Sequence, residues 1–279
     1  MAKSLRWAVS LQDTLNSPNF EELFRKTVLS LPEEDVESQR AFKYKQDSLA
    51  CLIGRVLARK ASSDCLKLSW REIDIERSPR GKPSLKNNRT NFHFNVSHHG
   101  DLVVLATEMV PIGVDVMRIE KRRSETAEEH IRKLKRQFTD QEMLMMLSFT
   151  TELERWRAFY RVWCLKEAIL KATGIGLTDD LRKYDFVTKP ADSFTHGCFI
   201  TSTRYYHENI EQKTWRIEES FIGENHCVGV AYENNSNSTN QVFELKNFAD
   251  LLEDAQFISP ELDDIKEFEE FDKKSDKHF

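Results

Sequence analysis

An α+β fold is predicted by three features of this 279-residue chain. Its stretches follow one another as helix, strands, helix, strands, without the alternating βαβ units of a parallel sheet. No glycine fingerprint of a dinucleotide-binding crossover is present. The order of elements suggests two similar halves meeting near residue 109, although no internal repeat is visible residue by residue.

Taken in order, LRWAVSL (5–11) predicts an opening strand, and a helix is predicted over about 19–29. In LPEEDVESQRAF a proline precedes acidic residues, as suits a helix start, because proline presets φ and carboxylates face the positive end of the helix dipole. Leu49, Leu52, Ile53, Val56 and Leu57 recur at helical spacing within QDSLACLIGRVLARKAS and predict a helix there. EIDIER is strand-like, and RSPRGKPS is predicted to be a loop. Phe92, Phe94 and Val96 alternate before a Ser-His-His-Gly-Asp turn and a second apolar run, which predicts a β-hairpin. PIGVDVM predicts a buried strand, and Thr139 with Glu142 fits a capping box opening the helix DQEMLMMLSF. The following helix contains WCLKEAILKATG and is closed by Gly174, with Gly176 just beyond. KYDFVT, GCFITSTRYY, KTWRIEESFI and HCVGVAYE predict strands at short intervals. NNSNSTNQ (234–241) is a linker by composition, and the acidic tail after it is expected to be disordered apart from short helical pieces. The expected division is therefore 1–109, 110–233, and a linker with acidic tail over 234–279.

Composition narrows the function. No stretch reaches the roughly 18 consecutive apolar residues of a membrane span, and MAKSLRWAVSLQDT is too polar for a secretory leader. The cysteines at 51, 65, 164, 198 and 227 form no CxxC pair, which favours reduced thiols, a cytoplasmic location and no zinc knuckle. The net charge of −5 is unevenly spread: residues 250–279 hold eleven acidic and four basic residues, so the body is slightly basic. Residues 117–136 carry eight basic against four acidic residues, either a solvated face or a surface for an acidic partner. Met143, Met145 and Met146 offer either ordinary core or an adaptable apolar patch. Neither nucleic acid nor membrane is an expected partner, and a monomer is expected from the two-halved organisation.

Four short stretches concentrate chemistry-bearing residues. In RGKP, Lys82 lies on a loop that could approach a phosphate, though lysine in surface turns is common. In NVSHHGD, His98 beside Ser97 makes either an anion site or an exposed capping histidine. Asp115 lies in an apolar strand, where an unpaired carboxylate would cost several kcal/mol, and so hints at a metal. Glu167 and Lys171 are one helical turn apart and share a face with Trp156, Tyr160 and Trp163. A simple i,i+4 ion pair is the plain alternative for them.

Together, GKP, FNVSHHGD, GVDV and WCLKEAILKATGIGL, in this order, resemble the 4′-phosphopantetheinyl transferases, which move phosphopantetheine from coenzyme A to a serine of a carrier protein. The resemblance covers roughly residues 5–232, and its most diagnostic piece is Trp163-x-x-Lys166-Glu167-x-x-x-Lys171-x-x-Gly174. LRWAVSL and FKYKQDSLACLIGR resemble the animal branch, the aminoadipate-semialdehyde dehydrogenase phosphopantetheinyl transferases, whose carrier specificity is broad. The resemblance implies two subdomains related by a pseudo-twofold axis, with the active site in the cleft between them. It implies that Arg77, Arg80, Gly81 and Lys82, with Asn95, Val96, Ser97 and His98, hold the nucleotide end of coenzyme A. Asp115 and Glu167 would bind Mg²⁺, Glu167 would take the proton of the carrier serine, and Lys171 would steady the pyrophosphate. Carriers such as apo acyl carrier protein, fatty acid synthase or an aminoadipate-type reductase are the implied partners. Two positions depart from the family pattern: Met117 replaces a second acid after the strand aspartate, and Gln46 stands where a cation for the 3′-phosphate is expected, with Lys43 and Lys45 nearby. The alternative these departures raise is a coenzyme A- or carrier-binding protein of the same fold with impaired catalysis.

Overall fold

A computed structural model of the chain describes residues 4–79, 81–86, 90–176, 179–189, 192, 194–233 and 241–277. The fold is α+β. Two compact units divide it, one made of residues 1–109 with 243–279 and the other of residues 110–242.

The first unit begins with strand β1 (Arg6–Ser10), the short helix α1 (Leu11–Leu15), and helices α2 (Phe20–Leu29), α3 (Glu33–Arg40) and α4 (Lys45–Leu66). Leu49, Leu52, Ile53, Val56 and Leu57 make one buried stripe of α4, which packs on the hairpin formed by β4 (His93–His99) and β5 (Leu102–Glu108). Between them β2 (Ile75–Arg77) and β3 (Pro83–Leu85) pair antiparallel and the Ser78 N–H donates to the Lys82 carbonyl at 2.9 Å, so the stretch expected to be a loop belongs to a small hairpin. A second difference concerns the histidines. The β4 ladder runs through His98↔Val103 and His99↔Leu102, so both lie in the strand and the turn is confined to Gly100 and Asp101.

The second unit contains β6 (Ile112–Arg118), α5 (Ala127–Lys133), α6 (Asp140–Ser148), α7 (Glu152–Thr173), β7 (Tyr184–Val187), β8 (Phe199–Ile200), β9 (Arg204–His207), β10 (Ile210–Glu211), β11 (Trp215–Ile222) and β12 (His226–Glu233). The antiparallel order β6-β12-β11-β8 makes the sheet on which α7 packs, and β10-β9-β7 makes a smaller one. Each of α5, α6 and α7 opens on a threonine–glutamate capping box: Thr126/Glu129, Thr139/Glu142 and Thr151/Glu154. Part of the basic stretch is thus helix α5. Met146 is fully buried core, whereas Leu144 is the prominent apolar side chain of α6, 73% exposed.

The tail overturns its expectation of disorder. Strand β13 (Glu244–Leu245) adds parallel to β1, and helices α8 (Phe248–Leu251) and α9 (Asp264–Asp272) bury Phe248, Leu251, Leu252 and Phe271 in the core of the first unit. The ring of Phe271 lies 4.6 Å from that of Phe24, and Arg25 pairs with Asp264 at 2.6 Å. Burying aromatic side chains of this size, at roughly 25 cal/mol per Å², outweighs the repulsion of a tail whose acids face cations of the helices beneath. Arg40 with Glu267 is a second such pair.

Candidate active site

Helix α7 is buried almost all round, and Trp163, Glu167 and Lys171 form its half-buried stripe at intervals of four residues. Trp156 and Tyr160 extend the stripe into the core as stacked rings 5.8 Å apart. The helix ends at Gly174, whose φ of 71° is the left-handed conformation glycine adopts without strain.

Strand β6 approaches this helix unusually closely because residue 113 is glycine. A Cβ there would lie 2.0 Å from the Ala168 carbonyl oxygen and 2.4 Å from the Ala172 nitrogen, distances no side chain can occupy. Residues two apart on a strand share a face, so Asp115 points toward α7 as well. Its partner across the ladder is Gly229, which contributes no competing side chain. Gly113→Ala is accordingly expected to cost at least about 1–3 kcal/mol by forcing helix and strand apart. Chemical denaturation reads this directly, and an unchanged midpoint would remove the close contact from the account.

Asp115 is buried, and its Oδ1 accepts from Lys171 Nζ at 2.6 Å. Glu167 lies one turn before Lys171. Burial raises the pKa of its carboxyl, the negative charge of Asp115 raises it further, and Lys171 partly offsets both. The sequence-predicted trio is therefore brought together, two carboxylates within electrostatic reach of each other around one ammonium. Among the described residues no group of three or more His, Cys, Asp or Glu side chains gathers in metal-binding fashion. Met117, at the position of the second acid, packs instead with the apolar cluster that contains Phe159 and Cys227.

Lys166, next to Glu167 in sequence and about 100° round the helix from it, is buried and serves a different purpose. Its side chain is 1% exposed and pairs with Glu142 Oε2 at 2.8 Å, Glu142 being fully buried. Lys166 Nζ also donates to the Leu181 carbonyl at 2.9 Å and to that of Tyr184. Glu142 accepts from the backbone N–H groups of Thr139 and Phe186. This network ties α6, α7 and the segment entering β7 into one piece behind the Glu167 stripe. The capping-box spacing identified Glu142 only as a cap; its partner 24 positions on gave no local signal.

In the first unit a cavity of about 310 Å³ gathers Arg77, Gly81, Val96 and His98 against the Cys51–Ala58 face of α4. Gly81, with φ of 81°, closes the hairpin turn, and its carbonyl oxygen accepts from Arg77 Nη1 at 2.8 Å. Lys82 is half-buried, and burial lowers its pKa. Asn95 and Ser97 are buried on the opposite face of β4 from Val96 and His98, as strand alternation requires, so the four do not act as one wall. Arg80 lies outside the described residues. Arg55, which sequence inspection did not single out, lines the same cavity and pairs with Asp35 at 3.1 Å. The available signal was its helical spacing of four from Cys51.

Two family models match the chain: that of the N-terminal region of 4′-phosphopantetheinyl transferase over residues 17–110, and that of the 4′-phosphopantetheinyl transferase superfamily over residues 111–231. The chain belongs to the 4′-phosphopantetheinyl transferase superfamily, whose enzymes transfer phosphopantetheine to carrier proteins. Within it, the chain is 34% identical over 277 residues to the L-aminoadipate-semialdehyde dehydrogenase-phosphopantetheinyl transferase of Rattus norvegicus, a match covering 93% of this chain and 88% of the relative. The Homo sapiens protein of the same name is 33% identical with the same coverage. A 4′-phosphopantetheinyl transferase of Bacillus subtilis is 33% identical over 145 residues, 52% of this chain and 61% of the relative.

Proposed function

We propose that the chain transfers 4′-phosphopantetheine from coenzyme A to a serine of an apo acyl or peptidyl carrier domain, releasing 3′,5′-ADP. The observation that carries this reading is the Asp115–Lys171–Glu167 group, assembled by the contact of Gly113 with α7. The charge of buried Asp115 raises the cost of charging Glu167, and the pair makes a hard-oxygen site suited to a divalent cation, with the remaining positions left to water and phosphate. Asp115 and Glu167 would hold Mg²⁺, which supplies charge neutralisation at the pyrophosphate.

The chain's own side chains account for the rest. Glu167, whose pKa burial moves upward, is the base that takes the serine proton. The serine oxygen forms a bond to the phosphorus bearing the pantetheine arm, while the bond from that phosphorus to the bridging oxygen breaks and 3′,5′-ADP leaves with the electron pair. An ammonium has three donors, so Lys171 can keep Asp115 in place and hold a pyrophosphate oxygen with another. The cavity of the first unit, with Arg77 and His98, suits the nucleotide end. The L-aminoadipate-semialdehyde dehydrogenase named in the rat and human relatives and the carrier of fatty acid synthase are both suitable substrates.

Incubation with Mg²⁺, coenzyme A and apo acyl carrier protein should add one phosphopantetheine to the carrier, seen by mass; no gain with several different carriers would sink the reading. Carriers with an acidic helix would meet the exposed loop holding Arg122 and Arg123, between β6 and α5. Charge reversal at both arginines is expected to raise KM for the carrier several-fold and to affect KM for coenzyme A much less. Equal effects on both would exclude this loop as the docking surface.

A further inference from the structure

We infer that the C-terminal tail supplies the cationic rim of the nucleotide cavity, with Lys274 and Lys277 holding the 3′-phosphate of coenzyme A. The inference rests on the function proposed above and adds residues to it that no motif contains.

The cavity is bounded by one face of α4, on which Cys51, Gly54, Arg55 and Ala58 follow at helical spacing. Asp47 lies four residues before Cys51, on the same face, about 6 Å farther along the axis. Lys277 Nζ pairs with Asp47 Oδ1 at 2.8 Å, which holds its ammonium against α4 one turn beyond the residues that line the cavity. Lys274 reaches the rim from another side. Its Nζ donates to the carbonyl oxygens of Phe42, at 2.7 Å, and Arg40, at 3.1 Å, and Phe42 itself lines the cavity.

The tail backbone is fixed in this position. Ser275 bridges to Tyr44, the Lys45 N–H donates to the Ser275 carbonyl at 2.9 Å, and the Lys277 N–H donates to Gln46 Oε1 at 2.7 Å. Lys45 is paired with Asp272 at 2.7 Å. Gln46, the position without a cation, is thereby met by the tail, its Nε2 donating to Asp276 Oδ1 at 3.4 Å, and Lys274 and Lys277 on either side of that acid are the cations the tail brings.

Charge chemistry says which part of the ligand is read. Of the cavity's own arginines, Arg55 is already paired with Asp35. The function proposed above assigns the pyrophosphate to Lys171. What the rim can add is recognition of a terminal phosphate monoester, which carries about −1.5 to −2 charges near neutrality and needs more than one donor.

The test compares coenzyme A with 3′-dephospho-coenzyme A as donors to apo acyl carrier protein, using the full chain and a Lys274→Gln/Lys277→Gln variant. The variant is expected to raise KM for coenzyme A about tenfold, as loss of charge-assisted hydrogen bonds does, and to leave KM for the dephospho donor within about twofold. An equal rise for both donors, or none for either, overturns the inference. Lys277→Gln alone, an exposed position, gives the same comparison should the double change loosen the tail. Calorimetric titration with 3′,5′-ADP and 5′-ADP separates this inference from the transfer reading. A protein that fails to modify any carrier but loses its preference for 3′,5′-ADP in the variant refutes the reaction and upholds the rim. Active transfer with unaltered preference does the reverse.

Discussion

Glu167→Gln is expected to lower turnover in carrier modification by about 10²–10⁴-fold, the range that loss of a general base produces, without loss of thermal stability. The two expectations share a cause. Burial and the neighbouring Asp115 both disfavour the charged form of Glu167. A neutral amide of the same shape relieves those penalties, so the melting temperature should hold or rise slightly, while the group that accepts the serine proton is gone. Mass measurement of the carrier gives the rate, and calorimetry the melting temperature. Near-full turnover would remove the base assignment, and a lower melting temperature would mean that Glu167 makes a stabilising contact as a carboxylate.

The largest expected effect on stability is at Lys166. Lys166→Met leaves Glu142 without its cation in a fully buried position, and removing one partner of such a pair costs about 3–5 kcal/mol. The Lys166→Met/Glu142→Leu double variant should recover much of the loss, because an apolar pair of similar volume avoids the desolvation of both charges. The pH dependence follows from Glu142, whose pKa burial pushes up to about 7 even with Lys166 beside it. With its folded pKa above the unfolded value, Glu142 holds its proton more tightly in the native state. That contribution is fully present below the unfolded pKa and is lost as pH rises through the folded one. Without Lys166 the folded pKa moves higher still, so the single variant should fall further behind the wild type as pH rises above about 7. Denaturation midpoints at acid and alkaline pH check this, and a single variant within about 1 kcal/mol of wild type at both would dismiss the network's importance.

Much of this architecture is legible locally. The stripe Leu49–Leu57 announces α4, the alternation of Phe92, Phe94 and Val96 announces the hairpin, and Glu167 with Lys171 stand out on α7. The same period-two rule, applied one residue further, would have separated Asn95 and Ser97 from Val96 and His98. The Thr126/Glu129 and Thr151/Glu154 boxes were equally readable, but dense charge around residues 120–136 masks the helix that follows the first of them. What resists local reading is pairing at long range. Phe271 finds Phe24, Lys166 finds Glu142, and Lys277 finds Asp47, and each partner is settled by the fold rather than by neighbouring residues. Acidity made the tail look solvated because its few large apolar side chains have no visible purpose until α2 and α4 are placed beneath them.

Strand β13 pairs with β1, although the whole second unit separates them along the chain. A ribosome making this protein therefore emits the sheet of the first unit long before the strand that completes its edge. The usual order, in which domains mature in the order of synthesis, is inverted: residues 110–242 can close their own core while residues 1–109 still wait for residues 243–279. Truncation or proteolysis that removes residues 243–279 would then injure the unit built mainly from residues 1–109.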